Sequence, residues 1–123
     1  MCLETSKDQS ILFIGGCDNM DIQEGHPLIT AVRFDGSLEH MDSLSLGDTS
    51  MRNVFQLKRL GNTDVLVAGG FYSISLVQFN RETGKFFELK QLSNLHNGEI
   101  FDFVIQGHEI YSICSSDKYI HRF

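Results

Sequence analysis

Two stretches of the chain, LETSKDQSILFIGG (3–16) and LKRLGNTDVLVAGG (57–70), align without a gap, 54 residues apart. Leu3, Leu12, Gly15 and Gly16 meet Leu57, Leu66, Gly69 and Gly70. Each stretch is a polar turn followed by a short apolar run that ends on two glycines. Further on, AVRF (31–34) meets LVQF (76–79) at the shorter offset of 45. The difference is the loop CDNMDIQEGHP (17–27), long in the first unit and trimmed in the second. Self-similarity at a fixed spacing is the signature of stacked structural units.

Working outward, the same rhythm fills the chain. ILFIGG, LITAVRF, VLVAGG, ISLVQF, IFDFVI and IYSICS are short apolar runs, and DGS, GNTD, RETGK and GH punctuate them. Helical periodicity is nearly absent, so the pattern predicts an all-β domain with tight reversals. The second unit reads as four antiparallel strands at 53–60, 64–69, 73–80 and 86–92. The first enters in its innermost strand at Met1 and continues at 11–15, 28–34 and 38–44. The third has three strands and lacks the fourth. Several inner runs are continuously apolar, as expected of sheets covered on both faces. The small pairs Gly15-Gly16, Gly69-Gly70 and Ser115-Ser116 close the second strand of each unit, where small side chains allow close backbone approach.

The closing stretch HNGEIFDFVIQGHEIYSICSSDKYIHRF (96–123) resembles a blade of the WD-repeat β-propellers. His96 begins the unit, Asp117 sits in the turn between second and third strands, and Phe123 follows six residues later. The resemblance implies a hydrogen-bonded chain of His96, Ser112 or Ser115, and Asp117 that pins the blade. Phe123 takes the place of the family's indole, packing without donating, and no WD dipeptide occurs. VLVAGGFYSISLVQFNRETGKFFEL (65–89) is similar to a kelch blade, with Phe79 and Phe86 or Phe87 in the aromatic positions. The fold implied is a partial β-propeller of antiparallel four-stranded meander blades. Blade one is 1–44 with its first strand truncated, blade two is 45–92, and blade three is 93–123 without its outer strand. A unit of this kind needs the remaining blades, or another chain, to complete the ring.

Composition sets the outer bounds. The chain has 123 residues, a net charge of −6 and dispersed Lys and Arg, which disfavours nucleic acid and leaves basic protein surfaces as possible partners. No apolar run spans a bilayer. Cys2, Cys17 and Cys114 are three in number and have no C-x-x-C spacing, so a reducing, cytoplasmic setting is expected.

Chemistry-bearing patterns are weak. His26, His40, His96, His108 and His121 lack ligand spacing, and DNMDIQEG (18–25) departs from the calcium-loop pattern. Cys114 lies within an apolar run, and Cys17 is the better candidate for a reactive thiol. Neither glycine pair precedes a helix or a Lys-Ser/Thr, so neither cradles phosphate. No catalytic constellation, cofactor site or metal site is expected.

Two surfaces are nominated for partners: the acidic loop with Asp18, Met20, Asp21 and Glu24, and the turn residues Phe71 and Tyr72. The expected function is a non-enzymatic scaffold for protein–protein interaction. The alternatives are part of a propeller enzyme or small-ligand propeller, whose axis would carry converging charges, and a self-contained barrel or sandwich.

Overall fold

The computed structural model describes residues 1–18, 25–47, 51–92, 100–106, 109–114 and 121–122, with the backbone alone at 100–102, 113–114 and 121–122. Among the described residues, eleven strands form three antiparallel sheets. The first is a meander of β1 (Cys2–Thr5), β2 (Ile11–Cys17), β3 (Pro27–Phe34) and β4 (Leu38–Ser45), hydrogen-bonded in chain order. The second repeats this order with β5 (Gln56–Arg59), β6 (Val65–Gly69), β7 (Ile74–Asn80) and β8 (Lys85–Leu92). The third pairs β9 (Ile100–Gln106), β10 (Glu109–Cys114) and β11 (His121–Arg122). The expected strand boundaries and the four-stranded meanders are those observed, within a few residues.

Alternation builds the faces. Along β2, Ile11, Phe13 and Gly15 are buried while Leu12 and Ile14 are half-buried. Their register partners Arg33, Ala31 and Ile29 on β3 share the inward face. The only proline of the sequence, Pro27, opens β3, a position where no ladder N–H is lost. In the second sheet, Gly84 takes φ +69 in the turn to β8, and Asn80 Oδ1 accepts from the N–H groups of Glu82 at 2.9 Å and Thr83 at 3.2 Å. This Asx turn needs a left-handed residue, which glycine supplies without a Cβ clash.

The repeat extends to an irregularity. A bulge interrupts β3–β4 between Ala31 and Val32, and another interrupts β7–β8 between Leu76 and Val77. These are the residues that AVRF and LVQF bring into alignment. Met41 and Leu89 are the extra residues on the outer strands. A bulge re-aims the side chains that follow it, so its repetition gives both sheets the same curvature.

The sheets lie in layers. β1 runs beside β5, β5 beside β9, and β4 beside β8, so like strands of successive sheets are neighbours. Between the first and second sheets, Phe13, Ile29, Ala31, Leu66, Ala68, Val77, Phe79 and Phe86 form the main core. Phe13 meets Phe79 edge-on at 5.4 Å and Phe86 at 6.0 Å, and those two meet each other at 5.2 Å. Such tilted arrangements match ring edges to ring faces. Val67 and Ile74, on the opposite face of the second sheet, pack against Phe103 and Ile110 of the third. Leu66 to Gly69 of β6 are thus buried on both faces, which explains why VLVAG is continuously apolar, whereas Phe87 and Leu89 on the outer strand β8 are exposed.

Close approach is seen at Gly15 and Gly70. A Cβ on Gly15 would stand 2.6 Å from Cys2 Sγ and 2.7 Å from Val54 Cγ1, and one on Gly70 would overlap the Asn53 carbonyl oxygen and Met51 Cγ. Gly16 has open space in that direction. At the opposite end of the sheets, Arg81 bridges turns of both. Its Nη1 donates to Asp8 Oδ2 at 2.8 Å and its Nε to Asp64 Oδ2 at 2.7 Å.

Two outcomes follow from this layering. Phe13→Ala removes the ring that Phe79 and Phe86 share, and urea denaturation is expected to show a loss of about 3–5 kcal/mol; a loss below about 1 kcal/mol would contradict the shared core. Arg81, then Ser10 and Ser6, hold the Asp8 carboxyl well below its ordinary range. A folded pKa below the unfolded value of about 3.9 stabilises above that pH, and the contribution disappears as pH falls through the folded value. The urea midpoint should therefore decline below about pH 4, and Asp8→Asn should decline less steeply. Equal slopes for the two proteins would show that the clamp contributes nothing.

Candidate interaction surface

The strand ends opposite Arg81 gather most of the nominated residues that the structure describes. The link from β4 to β5 returns there, and residues 51–55 thread between the ends of two sheets. The Val54 N–H donates to the Gly16 carbonyl at 3.0 Å, tying the link to the first sheet. The Phe55 N–H donates to the Gly69 carbonyl at 2.9 Å and the Phe71 N–H to the Met51 carbonyl at 3.1 Å, tying it to the second. Met51 and Val54 are buried in the main core, so the link is anchored by apolar side chains as well.

On this anchor stands an aromatic group. Phe55 and Phe71 meet edge-on at 5.2 Å, Phe71 and Tyr72 lie 5.9 Å apart, and the Arg52 guanidinium sits over the Phe71 ring at 5.6 Å. Phe55, Phe71, Tyr72 and Arg52 are all half-buried. Arg52 (φ 64) and Tyr72 (φ 67) both hold left-handed backbone, a conformation that costs a non-glycine residue on the order of 1 kcal/mol or more. Both residues contact Phe71, and the link and the turn around them maintain their conformations.

The first sheet contributes a polar neighbour. Asp18 and His26 face each other across the β2–β3 loop: the His26 N–H donates to Asp18 Oδ1 at 2.7 Å, and His26 Nδ1 lies 3.2 Å from Oδ2. The backbone N–H of His26 is the chief cause holding the Asp18 carboxyl below its usual range, with the imidazole assisting. Gly25 joins this loop to the link: a Cβ there would lie 3.1 Å from Cys17 Cβ and 3.4 Å from the Arg52 carbonyl oxygen. Asp18, His26, Arg52, Phe71 and Tyr72 thus share one end of the layered sheets.

Of the other nominated residues, Met20, Asp21, Glu24, His96, Ser115, Asp117 and Phe123 lie outside the described residues. Ser112 is buried on β10, in register with Phe103 on one side and His121 on the other. Sequence reading missed Arg52, His26 and Phe55. His26 reads from sequence as a loop histidine without ligand spacing and with a structural or solvent role, and nothing in its local sequence announces a pairing eight residues back. Among the described residues, no group of three His, Cys, Asp or Glu could hold a metal ion. Cys2 and Cys17 are both free of disulfides; burial raises the Cys2 thiol pKa, and its Sγ–H points at the Val54 carbonyl at 3.4 Å.

No family model matches the chain, and neither the curated proteins nor the solved structures contain a significant match to it.

A second concavity lies along the inner strands. Cys2, Leu3, Glu4, Gln56, Leu57, Lys58, Arg59, Val104 and Ile105 line a cleft of about 540 Å³. Its charges are engaged internally. The Arg59 N–H donates to Glu4 Oε2 at 3.1 Å, Arg59 Nη1 to the Thr5 carbonyl at 3.1 Å, and Lys58 Nζ to the Phe103 carbonyl. These side chains tie neighbouring inner strands together across the layers.

The backbone of Tyr72 gives a direct check. Tyr72→Gly relieves a left-handed residue and is expected to keep or raise stability, by up to about 1 kcal/mol in urea denaturation, because the ring is only half-buried. A large loss would show that the Tyr72 ring serves the core instead of the surface.

Proposed function

We propose that the chain is a non-enzymatic, cytoplasmic protein-interaction scaffold: three wedge-like sheets of a partial β-propeller of WD-repeat or kelch type, recruiting protein partners at the end that carries Arg52, Phe71 and Tyr72. The layering of like strands beside like strands supports the propeller reading, since blades stack in that manner around an axis. The acidic balance of the chain and the exposed Asp18 carboxylate favour a partner with a basic surface.

The observation that carries the partner surface is Phe71 flanked by Tyr72 and by the Arg52 guanidinium, both of them residues with left-handed backbone. Both hold a costly conformation that places aromatic and guanidinium groups at a solvent-facing tip, and such strain gathers at sites of use. Tyr and Arg are the side chains that most often anchor interfaces, because they offer a large contact area together with a polar tip. The step from fold to role is one of analogy.

The alternative, part of a propeller enzyme or of a small-ligand propeller, draws support from the charged cleft along the inner strands. Glu4, Lys58 and Arg59 are the converging charges that such a reading expects, but each already has a partner within the protein. The scaffold reading is therefore preferred.

A photo-crosslinking residue placed at position 72 separates the two. It should capture a defined protein partner in cells, at a yield that Arg52→Ala reduces. The same residue at Glu82, on an exposed turn at the far end, should not capture that partner. Equal capture from both positions, or none at 72 together with a saturable small molecule in the inner cleft, would contradict the scaffold reading.

A further inference from the structure

The outward face of the first sheet is the structural counterpart of a face that the second sheet buries. Phe79 and Phe86 are register partners on β7 and β8, and they sit 1% and 8% exposed against Phe13 of the preceding sheet. Their counterparts on β3 and β4, by the aligned sequences and the shared bulge, are Phe34 and Leu38, also register partners. These are 59% and 68% exposed. Leu12, Ile14 and Val32 correspond in the same way to the buried Leu66, Ala68 and Val77, yet are only half-buried.

The polar edge repeats as well. In the second sheet Ser75 Oγ donates to Glu88 Oε2 at 2.7 Å, and Glu88 Oε1 accepts from the Gly47 N–H of the incoming link at 3.2 Å. In the first sheet Thr30, Ser43 and His40 form the corresponding cluster, with oxygens 3.0 Å apart and His40 Nε2 2.9 Å from Ser43 Oγ. It faces outward. A surface with this side-chain plan is an interface for a sheet that presents a bulky ring where Phe13 stands.

The chain carries such a sheet. The outward face of the third sheet bears Val104, exposed, and Tyr111, its register partner. Tyr111 is the third residue of β10, as Phe13 is the third residue of β2. We infer that a second copy of this chain covers the first sheet with its third sheet, head to tail, setting Tyr111 of one copy between Phe34 and Leu38 of the other. Two copies then bring six sheets into one ring, three from each chain, with both open faces covered at once. This inference rests on the ring reading proposed above and names the occupant of the uncovered face.

Sedimentation equilibrium of the full chain should return twice the 13.9 kDa of a single copy. Phe34→Asp and Val104→Asp change exposed residues on opposite faces, so each should stay folded by circular dichroism and sediment as a monomer. Mixed in equal amounts, these two variants should regain a dimer, because one intact pair of faces remains between them. A wild-type dimer that neither substitution disrupts would overturn the inference. So would a chain that associates without fixed stoichiometry and is rendered soluble by Phe34→Asp but not by Val104→Asp, although the ring reading would survive with another occupant. A monodisperse, cooperatively melting wild-type monomer would overturn both.

Discussion

The docking of the first sheet on the second through Phe13, Phe79 and Phe86 is the constraint from which the rest of the arrangement follows. A meander of four strands has two faces and cannot keep both dry by itself. Phe13 reaches from β2 into the angle between β7 and β8 and fills it with ring edges. That placement fixes which face of each sheet looks forward and which looks back. It also sets like strands beside like strands, so that Cys2 and Gly15 can approach Val54 closely.

Where the facing sheets are committed to packing, the strand ends carry the turns and the link. At one end the turns are tied by Arg81 to Asp8 and Asp64, a three-membered ionic network that joins both sheets. At the other, the buried Met51 and Val54 hold the link in place while Arg52, between them in sequence, projects over Phe71. The division of labour within five consecutive residues is a direct result of layering: inward positions serve the core, and the strained position between them serves the tip. Buried Asn53 belongs to the same link, and its Oδ1 has no partner among the described residues.

Much of the fold was legible because it is periodic. The aligned stretches at 3–16 and 57–70 give strands that begin at equivalent residues, and the offset change between them and AVRF/LVQF is a loop insertion. The glycine pairs were only half legible: Gly15 and Gly70 are approached closely, whereas Gly16 is not, since neighbouring positions on a strand point to opposite faces. The partial exposure of Phe71 and Tyr72 was legible, since they are aromatic residues in a tight turn. The contacts of Arg52 and His26 were not, because they come from the path of the link and from pairing across a loop. Nor did sequence separate Phe34 from Phe79, which share a motif and differ only in whether a sheet lies over them.

Amide hydrogen exchange of the native chain tests the layered arrangement most directly. β6 is buried on both faces and β7 pairs with it along most of its length, so these two strands should exchange last, at the rate set by global unfolding, with β2 and β3 faster and β4 faster still. Slowest exchange in the first sheet, or equal protection across all three, would mean that the second sheet is not the interior layer.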